Sequence, residues 1–141
     1  MPLISLVYVS VAPRRMTDDD LKDILAASRR NNPQLGVTGM LLYKDRFFIQ
    51  ALEGEREVVY NLYEKIHKDP RHINAVTIYE HDITERSFKD WSMGFNKLDT
   101  QEMPAFTDFL DSSEDARIAH FKSKPSQAVA LLERFRKQSE F

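Results

Sequence analysis

Apolar and polar positions along this chain follow two different periods, and the change from one to the other marks the elements. Leu3 to Ser10 is dominated by Leu, Ile, Val and Tyr, which favours a strand, and Pro13 closes it. Thr17 followed by Asp18, Asp19 and Asp20 reads as a helix start, a hydroxyl N-cap with carboxylates in the first turn where the helix dipole favours negative charge. Leu21, Ile24, Leu25 and Ser28 then recur at helical spacing, and Pro33 and Gly36 are expected to stop the helix just after Asn31 and Asn32. Val37 to Tyr43 and Phe47 to Leu52 flank Lys44, Asp45 and Arg46, which predicts a hairpin although the preferred turn glycine is missing. Glu55 to Lys68 puts Val59, Leu62, Tyr63 and Ile66 on one helical face and ends near Pro70. Ala75 to Tyr79 reads as a fourth strand and Trp91 to Phe95 as a fifth.

The order βαββαβ with one further strand implies an α+β, ferredoxin-like sheet carrying two helices on one face. Beyond Leu98 the pattern changes. Met103, Phe106, Phe109 and Leu110 outline one amphipathic helix, and Ala128, Leu131, Leu132 and Phe135 a second after Pro125. Residues 1–98 are therefore expected to form the main unit, and residues 99–141 a C-terminal helical extension packed on the sheet.

Composition narrows the function classes. A chain of 141 residues with 42% hydrophobic content suits one globular domain. With 20 basic against 22 acidic side chains there is no net field to capture nucleic acid or an anionic membrane. The absence of cysteine excludes disulfides, thiolate zinc sites, iron–sulfur clusters and cysteinyl-flavin photochemistry. Four scattered histidines show no metal-ligand spacing, so no metal is expected. Leu3 to Ala12 is broken by Ser5 and Ser10 and lacks a basic leader, so it reads as a strand rather than a signal peptide. No run approaches transmembrane length, and a cytoplasmic location is expected.

The informative residues are polar ones whose neighbours predict burial, because an unpaired buried amide or phenol costs about 1 to 3 kcal/mol. Strand alternation puts Gln50 on one face with Phe48 and Leu52, in an apolar row. Tyr8 shares a face with Leu6 and Ser10, and a ferredoxin-like topology usually makes the first and third strands neighbours. Tyr8 and Gln50 are thus expected to touch. Asn31 and Asn32 end the first helix, where Pro33 alone explains the stop, yet their amides could serve a ligand lying alongside. Arg71 and His72 follow Asp69 and Pro70 in what is by default a solvated turn. Trp91 and Met93 alternate onto one strand face, a pattern more often of core packing than of a cofactor box.

Taken together, Ser5-Leu6-Val7-Tyr8-Val9-Ser10, Asn31-Asn32-Pro33, Gly36-Val37-Thr38-Gly39-Met40-Leu41, Phe48-Ile49-Gln50-Ala51-Leu52-Glu53-Gly54, Asp69-Pro70-Arg71-His72 and Asp90-Trp91-Ser92-Met93 resemble the BLUF family of blue-light receptors over roughly residues 3 to 98. The resemblance, to its short, stand-alone members in length, implies an oxidised flavin, normally FAD with FMN or riboflavin as alternatives, inserted between the two helices of a unit spanning residues 1–98. It implies that Ile24 and Ile66 clamp the ring, Asn32 pairs with its pyrimidine edge, Asn31 adds a contact, and Arg71 and His72 lie over it. Tyr8 and Gln50 match the photoactive pair: Tyr8 gives up an electron and then a proton through Gln50. The Gln50 amide then rearranges to donate to the flavin C4 carbonyl, shifting absorption to the red. Phenol is an oxidisable donor with a transferable proton, and an amide can exchange donor for acceptor. Trp91 and Met93 match the signal-switch positions, which in this family exchange between buried and exposed. With no catalytic or DNA-reading module on the chain, output is expected to pass in trans to a separate downstream protein, and a homo-oligomer is expected from the apolar positions of a one-domain chain.

Two rival classes are weaker. A small flavin-dependent oxidoreductase on a ferredoxin-like scaffold would use Tyr8, His72 or Trp91 around a substrate, but no nicotinamide-binding glycine fingerprint is present. An RNA-binding module could use Tyr43, Phe47 and Phe48, but the acidic balance and the missing glycine-aromatic strand pattern argue against it.

Overall fold

In the computed structural model, which describes residues 2–98 and 114–140, the elements are β1 (Leu3–Val11), α1 (Asp18–Leu35), β2 (Thr38–Lys44), β3 (Phe47–Glu55), α2 (Arg56–Lys68), β4 (Ile73–Ile83), β5 (Gly94–Lys97), α3 (Glu114–Ser123) and α4 (Pro125–Arg134). The sheet order is β4-β1-β3-β2-β5, with β5 parallel to β2 and the other pairs antiparallel. The first four strands thus have the ferredoxin-like order.

Both sheet faces are covered, and strand alternation sorts the core into two layers. Ile4, Leu6, Tyr8, Leu41, Tyr43, Phe48 and Leu52 face α1 and α2, where they meet Leu21, Ile24, Leu25 and Val59. Val7, Val9, Val11, Met40, Leu42, Phe47, Ile49 and Ala51 face the opposite way, against Phe121 of α3 and Ala128, Leu131 and Leu132 of α4. Each fully buried Leu or Phe contributes about 1.5 to 3 kcal/mol. The helical extension is therefore the second half of the core, at least in α3 and α4.

The start of α1 is as the sequence predicts: Thr17 accepts from the Asp20 amide and Asp20 accepts from the Thr17 amide, a reciprocal capping box. Its end is not. The helix runs through Pro33 to Leu35, and Gly36 alone stops it, at φ 69, with the Val37 amide closing back onto the Asn32 carbonyl at 3.0 Å. Proline removes one donor but keeps helical φ, so within the last turns it costs less than a full stop. The hairpin turn is also explained: Asp45 and Arg46 both adopt positive φ, 47 and 75, and Arg46 is held by Nε donating to the Ala12 carbonyl at 2.8 Å.

Three strand expectations need correction. The fourth strand is longer, Ile73–Ile83, because it pairs with the whole of β1. The fifth is Gly94–Lys97, so Trp91 and Met93 precede it. They do not share a face: Trp91 packs on the layer facing α3 and α4, and Met93 is buried in the layer facing α1 and α2. Alternation does not apply to residues outside the ladder. The helix expected around Met103, Phe106, Phe109 and Leu110 lies outside the described residues, while α3, which lacks a clean apolar stripe, has no counterpart among the sequence expectations.

Candidate functional site

Tyr8 and Gln50 are directly opposite each other on β1 and β3. Both side chains turn toward the helices, and the Tyr8 hydroxyl donates to Gln50 Oε1 in a buried hydrogen bond. The β1–β4 register shifts between Val7 and Tyr8, where Ile78 is the extra residue on β4; such a bulge bends the strand beside Tyr8. Burial holds the Tyr8 phenol well above its ordinary value of 10.0, and Tyr63 and Asp69 push the same way. The phenol is therefore neutral at any physiological pH.

Gln50 Nε2 lies 3.2 Å from Met93 Sδ, a weak acceptor, which leaves its second amide hydrogen without a partner among the described residues. Gln50 lines the wall of a cleft of about 210 Å³ over the sheet, between α1 and α2. From α1 come Ile24, Ala27, Ser28, Asn31 and Asn32, from α2 Leu62, Lys65 and Ile66, and from the following loop Asp69, Arg71 and His72. Leu41, Leu52 and Met93 complete it.

Every residue expected at the cofactor lines this one cleft: Ile24, Asn31, Asn32, Gln50, Ile66, Arg71 and His72. Tyr8 is packed behind Gln50, its ring 5.1 Å from that of Tyr63 and 6.2 Å from His72. Trp91 is away from the cleft, its indole Nε1 donating to the Arg136 carbonyl at 2.7 Å. Sequence reading missed Ala27, Lys65 and Leu62 as lining residues. The signal was available, since positions 24, 27, 28 and 31 and positions 62, 65, 66 and 69 each trace one helical face.

The polar groups divide into those held by the protein and those left open. Arg71 is exposed and folds onto Asp69, with Nη2 donating at 2.6 Å. His72 Nδ1 is 2.8 Å from the buried Ser10 hydroxyl, and burial pulls its imidazole down to about 4, Asp69 opposing and Arg71 assisting. His72 is thus neutral at pH 7. Asn32 is 2% exposed, and its Nδ2 donates to the Ser92 carbonyl at 2.7 Å, while its Oδ1 has no donor among the described residues. A buried carbonyl without a donor is costly unless something else supplies one.

The sequence model of one family, sensors of blue light using FAD, matches residues 3–94. The chain belongs to the BLUF family. Photoactivated adenylate cyclase subunit beta of Euglena longa is 42% identical over 92 residues, which is 64% of this chain and 11% of that protein. The chain therefore spans about a tenth of the length of the curated relatives it matches. The solved structure of BlsA in its photo-activated state superposes with a TM-score of 0.80 at 32% identity, covering 99% of this chain and 98% of that one. BlrB, a BLUF protein in its dark state, gives 0.70 at 33% identity over 92% and 97% of the two chains. The matched family is one of blue-light sensors, and the fold it shares with this chain is ferredoxin-like.

BLUF proteins take FAD, and the residues present here fit a flavin ring. The cleft has apolar side chains on both flanks, Ile24 on α1 and Ile66 on α2. Its deep polar atoms, the unsatisfied Asn32 Oδ1 and the spare Gln50 N–H, are one acceptor and one donor. The imide edge of a flavin carries both complementary kinds of group. Among the described residues no helix is long and apolar enough to cross a membrane, and no cluster of His, Cys, Asp or Glu could hold a metal ion.

Proposed function

We propose that Tyr8 and Gln50 are the photoactive pair of this BLUF unit, with Ile24, Asn31, Asn32, Ile66, Arg71 and His72 holding the flavin and Met93 and Trp91 relaying the change. The single observation that carries the reading is the buried Tyr8–Gln50 hydrogen bond at the wall of the cleft, with the other end of the amide on a methionine sulfur.

A bound oxidised flavin supplies absorption of blue light and, once excited, a strong one-electron oxidant. Tyr8 is the donor. Burial keeps its phenol protonated in the dark, but oxidation makes a phenol strongly acidic, and Gln50 Oε1 already accepts its hydrogen bond. Proton and electron return to Tyr8 when the charge recombines. In between, the amide has been protonated at one end, which permits it to turn or to change tautomer so that donor and acceptor ends exchange. The change gives up the weak contact to Met93 Sδ and re-forms the bond with the Tyr8 hydroxyl on the other end of the amide. Asn32 and His72 fix the cofactor's orientation, and the apolar flanks exclude water from the amide.

The relay starts at Met93. Three successive carbonyls hold its segment in place: Trp91 accepts from the Gly39 amide at 3.0 Å, Ser92 from Asn32 at 2.7 Å and Met93 from Arg29 Nε at 2.8 Å. This arrangement buries Met93 and sends Trp91 to the α4 side. The two residues therefore have separate roles, Met93 sensing the amide and Trp91 contacting the helical extension. Residues 1–98 would then be the sensing unit and residues 99–141 the output unit, acting in trans on a separate protein in the cytoplasm. Among the described residues the exposed large apolar side chains are Leu35 and Tyr60, and the Tyr60 hydroxyl donates to Glu80.

The test is uptake and response, with the purified chain titrated with FAD, FMN and riboflavin and then illuminated. A yellow protein whose bands shift red and recover in the dark supports the reading. A chain that takes up none of the three contradicts it.

A further inference from the structure

Residues 136–140 lie along the outer edge of β5 and are stitched to it by hydrogen bonds. The Glu140 amide donates to the Phe95 carbonyl at 2.7 Å, the Phe95 amide donates to Ser139 Oγ at 3.0 Å, and Asn96 Nδ2 donates to the Gln138 carbonyl at 2.8 Å. The Glu140 carboxylate accepts from the Lys97 amide at 2.8 Å. The segment therefore occupies the strand edge that would otherwise present unpaired amides and carbonyls.

One side chain joins this strap to the switch. Arg29, on the helix that flanks the cleft, donates through Nε to the Met93 carbonyl at 2.8 Å and through Nη2 to Ser139 Oγ at 3.4 Å. A guanidinium is a rigid planar fork, so moving one acceptor tilts the donors offered to the other. Met93 is the residue whose sulfur receives the Gln50 amide.

We propose that Arg29 is a positioning residue that couples Met93 to the strap of residues 136–140, so that rearrangement of Gln50 loosens the strap from β5. The inference rests on the reading of Gln50 and Met93 given above. A shift of the Met93 backbone draws Nε away, Nη2 leaves Ser139, and the weakest of the stitches goes first. Lysine at position 29 would keep the charge and could hold one acceptor, but it has no second donor at fixed geometry.

The experiment is amide hydrogen exchange at Glu140 and Phe95, in the dark and under continuous blue light, on the flavin-loaded full chain and its Arg29→Lys variant, with absorption spectra of the same samples. In the wild type, Glu140 exchange is expected to speed up about tenfold under light, the scale of one charge-assisted hydrogen bond. In Arg29→Lys the red shift persists, while Glu140 already exchanges fast in the dark and no longer responds to light. Dark protection of β1 and β3 amides equal to wild type shows that the variant is folded. If it is not, Arg29→Gln, which also lacks the two-donor fork and leaves the bonds between Ser139 and Phe95 in place, is read in the same way. A wild type that shifts red with Glu140 unchanged, or an Arg29→Lys that keeps both protection and light response, overturns the coupling alone. A wild type with no red shift overturns the functional reading and the coupling with it.

Discussion

The Gln50 amide nitrogen rests on the Met93 sulfur, 3.2 Å away, although it is buried and could have been given an oxygen acceptor. A thioether sulfur is a weak acceptor. The other end of the same amide takes a phenol proton. One end is thus held firmly and the other loosely, which biases the amide toward one orientation without locking it.

Met93→Leu removes the sulfur and keeps the volume. The red shift is expected to survive, because Tyr8 and Gln50 remain, but return to the dark orientation loses its weak preference. Dark recovery should slow about two- to fivefold, the equivalent of about 0.5 to 1 kcal/mol. Recovery at the wild-type rate would show that the sulfur contact carries no bias.

Tyr8→Phe removes the donor and leaves Gln50 Oε1 buried without its phenol. The chain should lose about 1 to 3 kcal/mol of stability, still bind flavin and show no red shift under light. Denaturant unfolding and light-minus-dark spectra check the two parts separately. A Phe variant that still shifts would remove Tyr8 from the photochemistry.

His72 gives the fold a pH dependence. Its imidazole sits at about 4 when folded and about 6.5 when unfolded, so between these values the unfolded chain binds the extra proton. Stability from this group is complete above about pH 6.5 and lost as pH falls toward 4, by roughly 3 kcal/mol in all. His72→Gln can keep the Ser10 contact and does not titrate, so its unfolding free energy should fall less over that window. Equal slopes in variant and wild type would contradict the burial argument.

Gly94 tests how tightly the switch segment is packed. A Cβ there would stand 2.5 Å from Met40 Cε and 3.3 Å from Trp91 Cγ. Met40 can bend aside, whereas the indole is held by its bond to the Arg136 carbonyl. Gly94→Ala should cost about 1 to 3 kcal/mol and shift the emission of the one tryptophan as its indole is displaced. An unshifted emission would mean that Met40 absorbs the whole strain.

Much of the fold and the cleft is legible in the sequence, and the misses have physical causes. The Tyr8–Gln50 contact follows from alternation plus the neighbouring of first and third strands, and the register puts them directly opposite. The seven cleft residues come from the family resemblance, and only Gln50, Asn31 and Asn32 also stand out as polar residues near apolar ones. Placing Met93 and Trp91 on one face extends alternation past the end of the ladder, where Gly94 begins the strand. The bulge beside Tyr8 and the stitches from residues 136–140 to β5 depend on pairing between distant segments, for which a single sequence carries no periodic signal. Glu53 is 2% exposed and accepts from the Ser87 and Phe88 amides at 2.7 and 2.9 Å, although nothing in its local sequence marks a buried carboxylate. A carboxylate is buried when tertiary structure brings it donors, and local composition does not show them.

The measurement closest to the central claim is the light-minus-dark absorption spectrum of the flavin-loaded chain beside Gln50→Leu. Leucine fills the same space without an amide to rearrange, so the wild type should shift red reversibly and the variant should bind flavin without shifting. A Gln50→Leu protein that shifts as the wild type does would show that the amide is not the switch.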